Sequence, residues 1–104
     1  DHLYEQAVTL VRRTRPDEEG TPDWLKRLVT WGAGPRAVQY LILGAKARAA
    51  LLGSFLVREE DLEAVAAPVL NHRILTNFTA QSEGLSTRAI IKRLYEEVSE
   101  AIHR

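Results

Sequence analysis

Leu3, Ala7, Leu10 and Val11 recur at helical spacing, with Tyr4 and Val8 beside them. This predicts a first helix from the start of the chain to about Thr14 or Arg15. Pro16 stops it, because a residue before proline is pushed out of the helical region. The stretch from Pro16 to Pro22 reads as an acidic, turn-rich loop. Thr21 or Asp23 then caps a short second helix through about Thr30, with Trp24, Leu28 and Trp31 on one side and both tryptophans expected in the core. A third helix runs from Pro35 to Leu52, its expected inner face made of Ala37, Tyr40, Leu41, Gly44, Ala47 and Leu51. Proline suits the first helical position, Gly34 is expected to allow a sharp turn into it, and Gly53 ends it.

Glu59, Glu60 and Asp61 place negative charge at the start of a fourth helix, where the helix dipole favours it. Leu62, Val65, Ala66 and Val69 form its apolar face, and Pro68 is expected to end or kink it near Ala67. Phe55-Leu56-Val57 and His72-Arg73-Ile74-Leu75 are short β-prone runs that could pair, provided the helices support so small a ribbon. Residues 76–85 read as polar and irregular. Ser86 caps a last helix from Thr87 to about Ile102, with Ile91, Leu94, Val98 and Ile102 along one side. The expected fold is mainly α: a bundle of four to five helices with at most a small two-stranded β-ribbon, in one domain covering residues 1–104.

Composition narrows the partners. Fourteen basic and fourteen acidic residues cancel to a net charge of zero, which gives no bulk attraction to nucleic acid or to a membrane surface. With no cysteine, disulfides and thiolate chemistry are excluded, and a reducing compartment fits. No run approaches the roughly twenty apolar residues of a membrane span. The chain starts at Asp1 and contains no methionine, so it is expected to be a piece of a longer protein.

Candidate chemistry is sparse. There is no glycine-rich phosphate loop with its Lys-Ser/Thr, and no apolar strand ending in an acidic Mg²⁺ ligand. His2, His72 and His103 lack metal-ligand spacing, and no serine has a nucleophile's context. Lys46 and Arg48 read as a solvated face. Arg12, Arg13 and Arg15 form the one basic knot, at a helix C-terminus where the dipole favours cations. Arg36 is different, because it falls in the first turn of the third helix, where a cation is electrostatically misplaced. Either it is solvated or salt-bridged, with Asp23 or Glu59 as partner, or it waits for a phosphate arriving from elsewhere.

Trp31-Gly32-Ala33-Gly34-Pro35-Arg36-Ala37, followed by Gln39-Tyr40-Leu41-Ile42-Leu43-Gly44-Ala45-Lys46-Ala47-Arg48-Ala49, resembles the C-terminal lid of MoxR-type AAA+ ATPases. The likeness reaches back through Val11-Arg12-Arg13-Thr14-Arg15-Pro16. It reaches forward through Val65-Ala66-Ala67-Pro68-Val69-Leu70-Asn71-His72-Arg73-Ile74 and Asn77-Phe78 to Glu83-Gly84. The resemblance implies that Arg36 is the sensor-two arginine, touching the γ-phosphate of ATP held with Mg²⁺ by a preceding core domain. It implies that Gly34 and Pro35 lie beside that nucleotide, and that the segment carrying Arg15 lies near the adenine edge. It further implies a cytoplasmic, chaperone-like ATPase in a hexameric ring, meeting neighbouring subunits and von Willebrand factor A-domain partners, while this piece alone hydrolyses nothing. The alternative is a small helical DNA-binding or protein-interaction module, with the Arg12–Arg15 knot on phosphates. The neutral charge and the alanine-rich third helix weigh against DNA.

Overall fold

The computed structural model describes residues 2–102. Among them six helices and a two-stranded antiparallel ribbon follow in the order α1 (His2–Arg13), α2 (Asp23–Leu28), β1 (Val29–Trp31), α3 (Arg36–Leu51), α4 (Glu59–Leu70), β2 (Leu75–Thr76), α5 (Phe78–Ser82) and α6 (Thr87–Ile102). The helical bundle with its small ribbon is the fold class the sequence implies. One core, built from Ala7, Leu10, Val11, Leu28, Leu41, Leu62, Leu70, Ile91, Leu94 and Val98 among others, joins α1, α2, α3, α4 and α6.

Helix α3 buries a narrower stripe than its apolar pattern suggests. Ala37, Leu41, Ala45 and Ala49 are buried, whereas Tyr40, Ala47 and Leu51 are exposed. The cause is close packing. A Cβ placed on Gly44 would lie 3.4 Å from the Val65 side chain, so α3 and α4 nearly touch along small residues. The bulkier Tyr40, Leu43 and Leu51 turn outward. Helix α4 passes through Pro68 and ends at Leu70. Pro68 and Ala64 both lie on the exposed side, where water can take the carbonyl that the ring leaves without a donor.

The ribbon pairs other strands than the pattern implies. Val29 lies opposite Thr76 and Trp31 opposite Leu75, with an irregularity between. Phe55-Leu56-Val57 forms no strand. The Ser54 hydroxyl donates to the Leu56 carbonyl at 2.8 Å and accepts from the Leu56 N–H at 3.2 Å. That turn takes the groups a ladder would use. Helix α2 stops at Leu28 because Val29-Thr30-Trp31, rich in β-branched and aromatic residues, goes to the ribbon. Within the segment expected to be irregular, Asn77 starts α5. Its side-chain oxygen accepts from the Ala80 N–H at 3.1 Å, while its amide donates to the Arg27 carbonyl at 2.8 Å. Ser86 caps α6 through the Ala89 N–H, as its position implies.

Two polar clusters lock the bundle. Gln6 on α1 donates to Glu59 and to the Tyr95 hydroxyl, and Tyr95 donates to the Glu59 carbonyl at 3.1 Å. Asp61, only 3% exposed, accepts from the Arg58 N–H at 2.8 Å and from Arg48 at 2.6 Å. Arg48 is therefore not part of a solvated face: it anchors α3 to the start of α4. The tryptophans also part company with the pattern. Trp24 packs against the core's edge, with its indole N–H on Glu97 and Arg93 stacked 4.1 Å above it, whereas Trp31 is 65% exposed.

Candidate functional site

The segment 31–36 is held from below by the end of α1. Thr14 is fully buried. Its hydroxyl donates to the Val11 carbonyl at 2.6 Å and accepts from the Ala33 N–H at 3.0 Å. Gly32 lies against the same residue, so closely that a Cβ there would sit 2.1 Å from the Thr14 carbonyl oxygen. Only glycine fits that approach. Gly34, by contrast, has no positive φ and nothing within 4 Å of where a Cβ would stand. The turn into α3 does start at Gly34, but it does not use a conformation reserved for glycine; the sterically demanding position is Gly32.

Pro35 has helical angles, φ −58° and ψ −29°, directly before α3. The first turn closes tightly: the Ala37 N–H donates to the Gly34 carbonyl at 3.0 Å and the Val38 N–H to the Pro35 carbonyl at 3.1 Å. Arg36 is the first helical residue and is exposed, with no acidic residue in its turn. Among the described residues it has no hydrogen-bond or ion-pair partner. Glu59, a partner considered above, instead accepts from Gln6 and Ser99.

Arg15 is brought to the same place. A cleft of about 450 Å³ is lined by Arg15, Asp17, Trp31, Gly32 and Gly34. A groove of about 770 Å³ between α1 and α3 is lined by Arg12, Arg15 and Pro35 over an apolar floor that includes Val8, Val38 and Ile42. Arg15 stands between the two. The Thr21 hydroxyl donates to its carbonyl at 2.7 Å, which fixes the chain's exit from α1. Arg15, Gly34 and Pro35 are therefore neighbours, with Arg36 next in the chain. Arg12 leans toward Glu18 at 3.7 Å, a long, solvent-exposed pair that contributes little.

This arrangement suits an anion. Two arginines, one exposed and one half-buried, flank a helix start whose dipole is also positive. The phosphates of a nucleotide fit it. A divalent cation does not: no group of three Asp, Glu or His among the described residues could hold a metal ion. His2 and His72 lie in different parts of the chain, and His103 lies outside the described residues. Among the described residues no helix is long and apolar enough to cross a membrane. Thr14 and Gly32 carry the site without being singled out by their residue types. The signal available was the paired glycines of Trp31-Gly32-Ala33-Gly34, of which only the first is sterically required.

Residues 24–94 match the family described as AAA lid domain. The chain belongs to that family, and it is the lid of a MoxR-type AAA+ protein. It is 30% identical over 97 residues to Chaperone MoxR1 of Mycobacterium tuberculosis, covering 93% of this chain and 26% of that protein. It is 46% identical over 48 residues to Protein MoxR of Paracoccus denitrificans, covering 46% of this chain and 14% of the relative. A crystal structure of a Cytophaga hutchinsonii protein taken to be an ATPase superposes with a TM-score of 0.82 at 37% identity, over 92% of this chain and 29% of the other. The chain thus spans less than a third of each of these relatives.

Proposed function

We propose that this chain is the moving lid over ATP bound by a separate core domain of its parent, and that Arg36 is the sensor-two arginine of that ATPase. One observation carries the reading: Arg36 follows a loop pinned to Thr14, is exposed and, among the described residues, has no partner, at the helix end where its own charge is disfavoured. A cation kept there is positioned for an anion that this chain does not supply. Arg36 binds a terminal phosphate oxygen, Gly34 and Pro35 form the wall beside the nucleotide, and Arg15 lies near its adenine edge. Mg²⁺ is held by the core; among the described residues of this chain no group of three Asp, Glu or His could hold it. On the same reading the parent assembles as a hexameric ring, acts in the cytoplasm as a chaperone-like remodeller, and works with von Willebrand factor A-domain partners.

The test is steady-state ATP hydrolysis by the full-length parent with Arg36→Ala. Arginines that stabilise phosphoryl-transfer charge contribute about 10³–10⁵ in rate, and a steep loss is expected here. Normal turnover by a folded Arg36→Ala parent sinks the assignment.

A further inference from the structure

The end of α3 away from Arg36 carries an apolar face that the nucleotide reading does not use. The helix is 16 residues long, so that end stands about 22 Å from Arg36. Leu43, Leu51, Leu52, Phe55 and Leu56 are between 61% and 105% exposed there, and Ala47 and Ala50 among them are exposed too. Leu52, Phe55 and Leu56 line one hollow at the helix end. The turn that presents Phe55 is ordered. The Gly53 and Ser54 N–H groups donate to the Ala50 and Ala49 carbonyls at 3.0 and 2.9 Å, and the Ser54 hydroxyl closes the residues that follow. Little backbone freedom is then lost when this turn meets a partner.

The face is large and nearly uncharged. Its five big side chains expose on the order of 700 Å², more than the largest apolar patch of an ordinary monomer and close to the ~800 Å² that each partner gives to a stable interface. Helix α3 has no acidic residue. Arg48 is bonded to Asp61, and Arg58 faces Glu60 at 3.6 Å. Lys46 is the cation left on this face without an ion pair among the described residues. One such cation is too few to hold an anionic bilayer or a nucleic-acid strand.

The face also fits a copy of itself. Leu43, Ala47 and Leu51 follow at intervals of four, one row along the helix surface with a notch at Ala47 between two leucines. With a two-fold axis midway between Ala47 and Leu51, two antiparallel helices bring each Leu51 to the Ala47 notch of the other. Phe55 then lies toward the Leu43 of the second copy. The two Lys46 side chains stand about 9 Å apart along the axes and 8–10 Å apart across them, beyond the ~8 Å screening length. We infer that this face is the contact surface for a second copy of this chain, joined two-fold through the far halves of α3. Such a contact closes after two copies, so it is not the head-to-tail contact that builds a ring. It rests on no assignment of Arg36.

Sedimentation velocity on the chain over a wide range of concentrations should show a reversible monomer–dimer equilibrium. Leu51→Glu, and separately Phe55→Glu, should weaken the dimer by roughly tenfold or more, because a two-fold contact feels each change twice. Both side chains are exposed, so neither change should lower the melting temperature of the monomer. Ala47→Leu separates a fitted contact from stickiness: it adds apolar surface but fills the notch, and should weaken the dimer too. The chain has no cysteine, so a short bismaleimide should join Ala50→Cys to itself and leave Ser82→Cys unjoined. A full-length parent stripped of any cysteines of its own should give the same Ala50→Cys link. A chain that stays monomeric at every concentration overturns the inference, as does a dimer that Ala47→Leu strengthens or that ignores both glutamates. So does binding to phosphatidylcholine–phosphatidylglycerol vesicles that Phe55→Glu abolishes. Slow hydrogen exchange over residues 50–56 of the parent without the Ala50→Cys link also overturns it, since the rest of the parent then covers the face.

Discussion

Gly32 and Thr14 are in backbone contact: a methyl group on Gly32 would overlap the Thr14 carbonyl oxygen at 2.1 Å. That contact, with the bond from the Ala33 N–H to the Thr14 hydroxyl at 3.0 Å, joins the end of α1 to the loop that presents Arg36. Gly32→Ala is expected to destabilise the domain by at least the ~1–3 kcal/mol of ordinary overpacking, since backbone rather than a side chain must move. Gly34→Ala should be neutral or stabilising by up to about 1 kcal/mol, through the unfolded chain. Denaturant melts of the two variants give the comparison, and equal losses would show that the contact is not as close as described.

Thr14→Val keeps the shape and removes the hydroxyl. The Ala33 N–H is then buried without an acceptor, at a cost of about 1–3 kcal/mol. Proton exchange at the Ala33 amide should accelerate more than at Ala45 in the middle of α3, which NMR exchange measures directly.

Arg36→Ala in the isolated domain should leave stability unchanged or raise it by about 0.3–1 kcal/mol, because it removes a cation from a helix N-terminus. A clear loss in thermal or urea melts would mean that Arg36 has a structural partner, contrary to the exposed side chain seen here.

Acid stability should depend on Asp61. The Arg58 N–H, and after it the Arg48 guanidinium, hold its carboxyl below the ordinary 3.8, against the opposing effect of burial. A group with a depressed folded value stabilises the fold above its unfolded value and loses that contribution as pH falls through the folded one. Asp61→Asn should therefore be less stable near neutrality and flatter below about pH 4 in urea melts against pH. At the alkaline end Tyr95, buried and facing Glu59, has its hydroxyl pushed up. The unfolded chain releases that proton first, so stability declines above about pH 10. Tyr95→Phe should abolish this decline, and should cost about 1–3 kcal/mol at neutral pH from its lost hydrogen bonds to Gln6 and Glu59.

Leu41→Ala should cost about 2–5 kcal/mol, since Leu41 is fully buried at the centre of α3. A loss under about half a kcal/mol would contradict its place in the core.

The long helices could be read from spacing because their apolar stripes and their stops are local: Pro16 after α1, Gly53 after α3, Ser86 before α6. The ribbon could not. Val29-Thr30-Trp31 looks like the tail of α2 until Leu75 and Thr76, more than forty residues on, lie beside it. Phe55-Leu56-Val57 has the better strand composition, but the Ser54 hydroxyl closes it into a turn. The inner stripe of α3 was hidden for a related reason. Ala45 and Ala49 carry little hydrophobic signal, and they are buried because Gly44 admits Val65 so closely. At the candidate site, Arg36 stood out through its sign at a helix start, a local property. Thr14 and Gly32 did not, because what matters there is a contact between two segments, and neither residue type announces one.

The grip of Thr14 on the 32–33 loop makes α1 a handle and Arg36 a fingertip on one stiff arm. A rotation of α1 carries the loop before α3 with it, and on the proposed reading that moves the base of Arg36 relative to the phosphate. On that reading the tilt of the first helix helps to set where the arginine can reach, and a substitution that merely loosened residues 31–35 would blunt the response to such a tilt while leaving the arginine itself in place.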